Sequence, residues 1–435
     1  MNKNPVVKRI HARLLHCLDT PDFEGSDNIE YIEDGCLLIE NGRIIDCGTT
    51  SSVKVPDAAE HIDLSDKLVV PGFIDTHIHF PQTDIIASHG TQLLEWLKKY
   101  TFPAEQRFSD YAHASECADF FIDELLRNGT TTAMVFGSVH RESVEAFFNA
   151  ASRRRLRMIC GKVMMDRNAP EQLLDTASSS ALDSQRLIDQ WHGKGRLGYA
   201  VTPRFAPTSS EAQLTAAGQL LKDNPGVHLQ THLAENPEEC NWVASLFPDT
   251  EDYLNVYENF ELTGKRSVFA HCIHLSDRAW KRLASSESAV AHCPCSNLFI
   301  GSGLFDLRSA QKHSVKVGLG TDVGGGDSFS LLRTINEAYK IQQLQQYTLS
   351  AEQAFYLATL GGAKALDLHE HIGNFEVGKE ADFLVIDEQA TPLIHRRIKQ
   401  QTHWKDRLFS LLMLGDDRCI EQTWILGERY QPHHV

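Results

Sequence analysis

Residues 71–82 read PGFIDTHIHFPQ, where the apolar run LVVPGFID ends on two histidines, His77 and His79, one residue apart. In a strand, residues i and i+2 share a face, so both imidazoles can reach one point. Imidazole is the commonest protein ligand for zinc. A buried strand ending in such a pair suits an α/β barrel, where the C-terminal strand ends converge on one mouth.

The chain beyond this stretch has the texture of a barrel. Apolar runs fit for buried parallel strands alternate with segments of helical spacing: LVVPGFID, TTTAMVFG, RMICGKVMM, LGYAVTPRF, HLQTHLAE, SVFAHCIHL, AVAHCPCS and KVGLGTD. Eight strand–helix units predict an α/β fold, a TIM-like (β/α)8 barrel. Both chain ends read differently. Residues 6–66 are short strands and turns, with two apolar runs split by Asn41-Gly42, a hairpin signal. After about residue 370, IGNFEVGKEADFLVID and WILGERY return to that texture. The expected organisation is a barrel over 68–370 and a small composite β-sandwich domain from 1–67 and 371–435.

The 435 residues include 42 basic and 58 acidic side chains, a net charge of −16. Such a surface repels phosphate backbones, so no nucleic-acid partner is expected. The one basic run, Arg153 to Arg155, reads as the solvated end of a helix. Ten scattered cysteines suit reduced thiols in a cytoplasmic protein. No run approaches 18 apolar residues and the first 20 lack a signal-peptide core, so no membrane association is expected.

The histidine pair has company at other predicted strand ends: His232 in HLQTHLAE, His271 in SVFAHCIHL and Asp322 in VGLGTDVGGG. A buried aspartate is costly unless it is paired or bound to a cation. Five such residues on four strands favour a metal site over packing. Glu235, just past the fifth strand and out of register with His232, suits a proton shuttle. Arg204 and Phe205 end the fourth strand, and Gln82 follows His79 by three residues. A donor fork, a flat wall and an amide suit a planar heterocycle bearing a carbonyl, unless Arg204 serves a structural ion pair. GLGTDVGGG lacks the phosphate-loop pattern; its glycines allow tight turning or close approach to a ligand. HCPC at 292–295 lacks a second cysteine pair and reads as barrel packing.

These residues resemble the amidohydrolase superfamily across nearly the whole chain. The resemblance rests on PGFIDTHIH, the TDVG aspartate and IGNFEVGKEADFLVID, and on longer stretches: HIHFPQ (77–82), LLEWLKKYTFPAE (93–105), TPRFAPT (202–208), THLAEN (231–236) and FAHCIHL (269–275). It implies one zinc per subunit, with iron as the alternative, held by His77, His79, His232 and Asp322. It also implies Glu235 as proton shuttle, with His271 and Asp322 assisting the attacking water. Gln82, Arg204, Phe205, His232 and Glu235 would hold a purine, covered by Leu93, Trp96 and the segment to Phe102. The implied reaction is hydrolytic deamination of guanine to xanthine and ammonia; 8-oxoguanine, a pterin or a triazine is the alternative ring. A homodimer is implied too. Relatives that have lost their ligands act as binding modules, but all four ligands and the shuttle are present here. The fourth strand ends in Arg204 rather than lysine, which implies a single metal and leaves Lys162 a structural role.

Overall fold

The computed structural model describes residues 7–21, 28–90 and 92–431. The eight expected strands are all present: Phe73–His79, Thr130–Phe136, Arg157–Gly161, Gly198–Pro203, His228–Leu233, Ser267–His271, Ala289–His292 and Lys316–Leu319. They pair in parallel in chain order. The eighth meets the first through bonds just past its end. Asp322 N donates to His77 O and His79 N to Val323 O, both at 2.9 Å. Barrel closure therefore runs through the proposed ligands themselves.

Residues from six strands, including Ile74, Met134, Ile159, Ala200, Ala270 and Ala291, form one buried cluster. The outward-facing set, such as Phe73, Val135, Phe269 and Leu319, joins the helices in a larger core. This alternation is what buried parallel strands require.

The run LVVPGFID is two strands, not one. Glu60–Pro71 belongs to a second sheet, and the barrel strand starts at Phe73. The backbone changes partner here: Gly72 N donates to Asp382 O at 3.0 Å, and Phe73 N to Gly129 O at 3.0 Å. A Cβ on Gly72 would lie 2.1 Å from Thr131 Oγ1. Gly72→Ala is expected to destabilise the fold by about 1–3 kcal/mol, read from urea unfolding.

The second sheet is built from both chain ends in the order Glu428–Arg429, Ile420–Ile425, Phe383–Ile386, Glu60–Pro71, Lys8–Cys17, Ile29–Glu40, Arg43–Thr49. All pairs are antiparallel except Lys8–Cys17 with Glu60–Pro71. The turn at each end folds back over the sheet: Gly42 O accepts from Ala381 N and Gly427 O from Lys8 Nζ, both at 2.9 Å, and a Cβ on Gly42 would lie 2.9 Å from Leu426 Cβ. One continuous sheet thus curls around its own core of Ile10, Ile39, Val69, Phe383 and Trp424. Alternate residues Leu68, Val70, Leu384 and Ile386 pack on the barrel's helical core. At the hairpin, Asn41 (φ 52°) and Gly42 (φ 77°) both take left-handed backbone, as a two-residue turn needs.

Arg154 departs from the expected solvated helix end. It is buried, with Nη1 bonded to Asp119 at 2.7 Å and Nη2 to Asp123 at 2.8 Å. It ties the helix Arg141–Arg153 to Tyr111–Arg127, leaving Arg153 and Arg155 exposed. Two acids one helical turn apart on a neighbouring helix compensate this buried charge.

Candidate active site

The first strand reaches the site through a β-bulge. Asp75 pairs with Ala133 but Ile78 with Val135, so one extra residue lies between them. Ile74 sits in the inner cluster, yet His77 and His79 also point inward; the bulge supplies the change of register. In the fifth strand, His228, Gln230 and His232 share one face by simple alternation. In the sixth, alternation would place His271 outside with Phe269. Left-handed backbone at His271 (φ 70°) and Cys272 (φ 52°) turns it into the mouth instead. Ala234 (φ 51°) and Asp322 (φ 51°) share that strain. For residues other than glycine each costs roughly 1–3 kcal/mol, and such outliers cluster at functional sites.

Four potential ligand atoms converge. His77 Nε2 and His79 Nε2 are 3.2 Å apart, as are His79 Nε2 and His232 Nε2. Asp322 Oδ1 lies 3.2 Å from His77 Nε2 and 3.3 Å from His79 Nε2. Ligands about 2.0–2.1 Å from a tetrahedral ion stand roughly 3.3 Å apart, so the spacing fits a divalent cation. The donor set agrees. His232 Nδ1 lies 2.6 Å from Arg204 O, a carbonyl that can only accept, so its proton is on Nδ1 and its Nε2 lone pair faces inward. Burial pulls the imidazoles down, His79 to about 3 and His232 well below the usual range, which keeps them in the neutral, metal-binding form. Burial pushes the Asp322 carboxyl up, but His77 and His79 outweigh it and hold it well below the usual value.

Glu235 stands beside this cluster. Its Oε1 accepts from Ser302 Oγ at 3.0 Å, and its Oε2 is 3.4 Å from His271 Nε2. Burial, reinforced by Asp322, pushes its carboxyl up to about 8. A group titrating there can both take and return a proton near neutrality. His271 Nδ1 is hydrogen-bonded to Asn297 Oδ1 at 2.8 Å, while its buried Nε2 has no hydrogen-bond partner among the described residues and lies 3.6 Å from Asp322 Oδ2.

One cavity joins these groups. Its walls include His79, Gln82, Leu93, Trp96, Arg204, Phe205, His232, Glu235, His271 and Asp322. His77 lies behind them at the ligand cluster. Every site residue expected from sequence is thus brought to one place. Gly325 also lines the cavity, and a Cβ there would come within 2.8 Å of Ser296 Oγ, so the glycine-rich loop closes tightly on the mouth. Lys162 lies elsewhere, bonded to Asp175 at 2.5 Å.

Four further residues contribute to the site. Ser302 and Asn297 hold Glu235 and His271 from the segment after the seventh strand. Glu239 accepts from the backbone of Glu235 at 2.9 Å and of Asn236 at 3.1 Å; the N-x-x-E pattern of a capping box at Asn236 is a legible signal for it. Glu105, fully buried, pairs with Arg204 at 2.9 Å. Arg204 thus makes an ion pair and lines the cavity as well.

Comparison with known proteins agrees with this geometry. The chain is 53% identical to guanine deaminase of Escherichia coli (strain K12) over 412 residues, 94% of each chain. A solved structure of E. coli guanine deaminase superposes with a TM-score of 0.96 at 51% identity, covering 98% of this chain and all of that one. Guanine deaminase from C. acetobutylicum, solved with guanine bound in the active site, superposes at 0.89 with 28% identity over 98% of this chain and 100% of that one. The amidohydrolase family model matches residues 68–429, from the end of the long sheet strand through the barrel to the final strands, and the chain belongs to that family.

Proposed function

We propose that this chain hydrolyses guanine to xanthine and ammonia, with one zinc ion per subunit at His77, His79, His232 and Asp322. The observation that carries the reading is a single cavity onto which His79, His232 and Asp322 of the four-ligand cluster open, His77 standing behind them, together with the buried Glu235 and the Gln82–Arg204–Phe205 group. The relatives named above support guanine as the ring.

His77, His79, His232 and Asp322 would hold the cation, which would lower the pKa of water at the site towards about 7. The chain does the rest. Glu235 takes the proton of the attacking water and passes it to the ring nitrogen beside C2. Glu235 then carries the proton of the C2 hydroxyl to the amino group, the exocyclic C2–N bond breaks and ammonia leaves as the hydroxyl oxygen becomes the C2 carbonyl. His271 Nε2, facing Glu235 and Asp322, orients the water. Arg204 and Gln82 hold the ring's polar edge, Phe205 packs its face, and Leu93 and Trp96 exclude bulk water.

The ten free thiols support a cytoplasmic location, and a homodimer belongs to the same proposal by resemblance. Among the described residues no helix is long and apolar enough to cross a membrane.

A panel of guanine, 8-oxoguanine, a pterin and an aminotriazine, followed by ultraviolet absorbance, tests the ring. Guanine is expected to have the highest kcat/KM; a higher value for another ring would replace guanine as substrate. Metal analysis of the purified protein separates zinc from iron.

A further inference from the structure

Glu105 is not among the residues that resemblance places in the site, and it holds two that are. Its carboxylate receives Arg204 Nη1, 2.9 Å from both oxygens, and Gln82 Nε2, 3.0 Å from Oε1. All three side chains are buried. A carboxylate can only accept here, so the amide of Gln82 must present nitrogen to it. The other end of that amide, Oε1, lies 3.4 Å from Gly324 N. Swapping the ends would set a carbonyl oxygen against the carboxylate. Arg204 is placed from a third side, its guanidinium 5.8 Å from the centre of the Phe102 ring. Phe102 and Glu105 share the helix Phe102–Gln106, directly after the covering segment with Leu93 and Trp96.

We propose that Glu105 is a specificity-determining positioning residue: it fixes the polarity of Gln82 and Arg204 so that the cavity accepts a lactam edge, N–H beside C=O, and rejects an amidine edge. Two consequences of the geometry support this. The guanidinium, its charge balanced by Glu105, offers its remaining N–H donors to a neutral carbonyl rather than to an anion. The amide of Gln82 cannot rotate to suit a ring with donor and acceptor exchanged. A site built this way leaves its polar groups unpaired against the wrong ring, which is how hydrogen-bonding pockets discriminate strongly.

The inference rests on the guanine reading, and its test separates the two. The probes are guanine and 2,6-diaminopurine, which keeps the 2-amino group but carries an amino group in place of the 6-oxo group. Release of the 2-amino group is followed by chromatography. In Glu105→Gln the neighbour of Gln82 becomes an amide that can pair in either orientation. The ratio of kcat/KM for guanine over 2,6-diaminopurine is expected to fall about tenfold or more, with bound metal unchanged. A merely structural role would lower both values by one factor. An unchanged ratio in folded, metal-loaded Glu105→Gln overturns the proposal. If that variant does not fold, Glu105→Asp keeps a charge near Arg204 but draws it back from Gln82. A fall in the same ratio then supports the proposal, and an unchanged ratio overturns it. Failure of the unmodified protein to act on guanine would instead overturn the substrate reading.

Discussion

Glu235→Gln is expected to lower kcat for guanine by about 10²–10⁴-fold while the protein keeps its metal. The carboxylate contributes no atom to the four-ligand cluster, so the amide leaves those distances intact. What is lost is the proton relay. An amide can still accept from Ser302 Oγ, as Glu235 does at 3.0 Å, but it cannot take a proton from water and return it to the ring. Steady-state kinetics paired with metal analysis of the same preparation checks this. Turnover within a few-fold of the unmodified protein would remove Glu235 from the relay. Loss of metal together with activity would make it a ligand instead.

His79→Ala is expected to abolish measurable turnover and to lower metal content well below one per chain. His79 Nε2 is the best-connected of the four proposed ligand atoms, within 3.3 Å of His77, His232 and Asp322. Its removal leaves a site with three protein ligands and a hole in its centre. The loss should extend to stability, because an ion that binds only the folded chain stabilises it in proportion to RT ln(1 + [L]/Kd). The unmodified protein should therefore show a lower Tm after chelation, and the His79→Ala variant no further change. A variant that retains full metal and turnover would show that His79 is a bystander.

Much of this site was legible in the sequence because of where it sits. Parallel barrel strands are buried on both faces and read as apolar runs, so a polar residue at the end of a run stands out. His77, His79, His232, His271 and Asp322 all stand at such ends. The two departures in the backbone were not legible. Nothing in the composition of FIDTHIH marks the bulge between Asp75 and Ile78, and alternation alone would send His271 outward. The supporting side chains were hidden by distance along the chain. Glu105 is 99 residues from Arg204, and Ser302 is 67 from Glu235. Glu105 ends the stretch LLEWLKKYTFPAE, whose helical spacing gives an acid there no distinguishing mark. Arg154 reads as solvated for a related reason: its partners Asp119 and Asp123 lie on another helix.

The most direct measurement is a time course of xanthine and ammonia from guanine, with the full chain as purified, after chelation, and after zinc is returned. The expected result is one xanthine and one ammonia per guanine from the purified protein, none after chelation, and recovery with zinc. Undiminished xanthine formation by metal-free protein, or intact guanine with zinc-loaded protein, would contradict it.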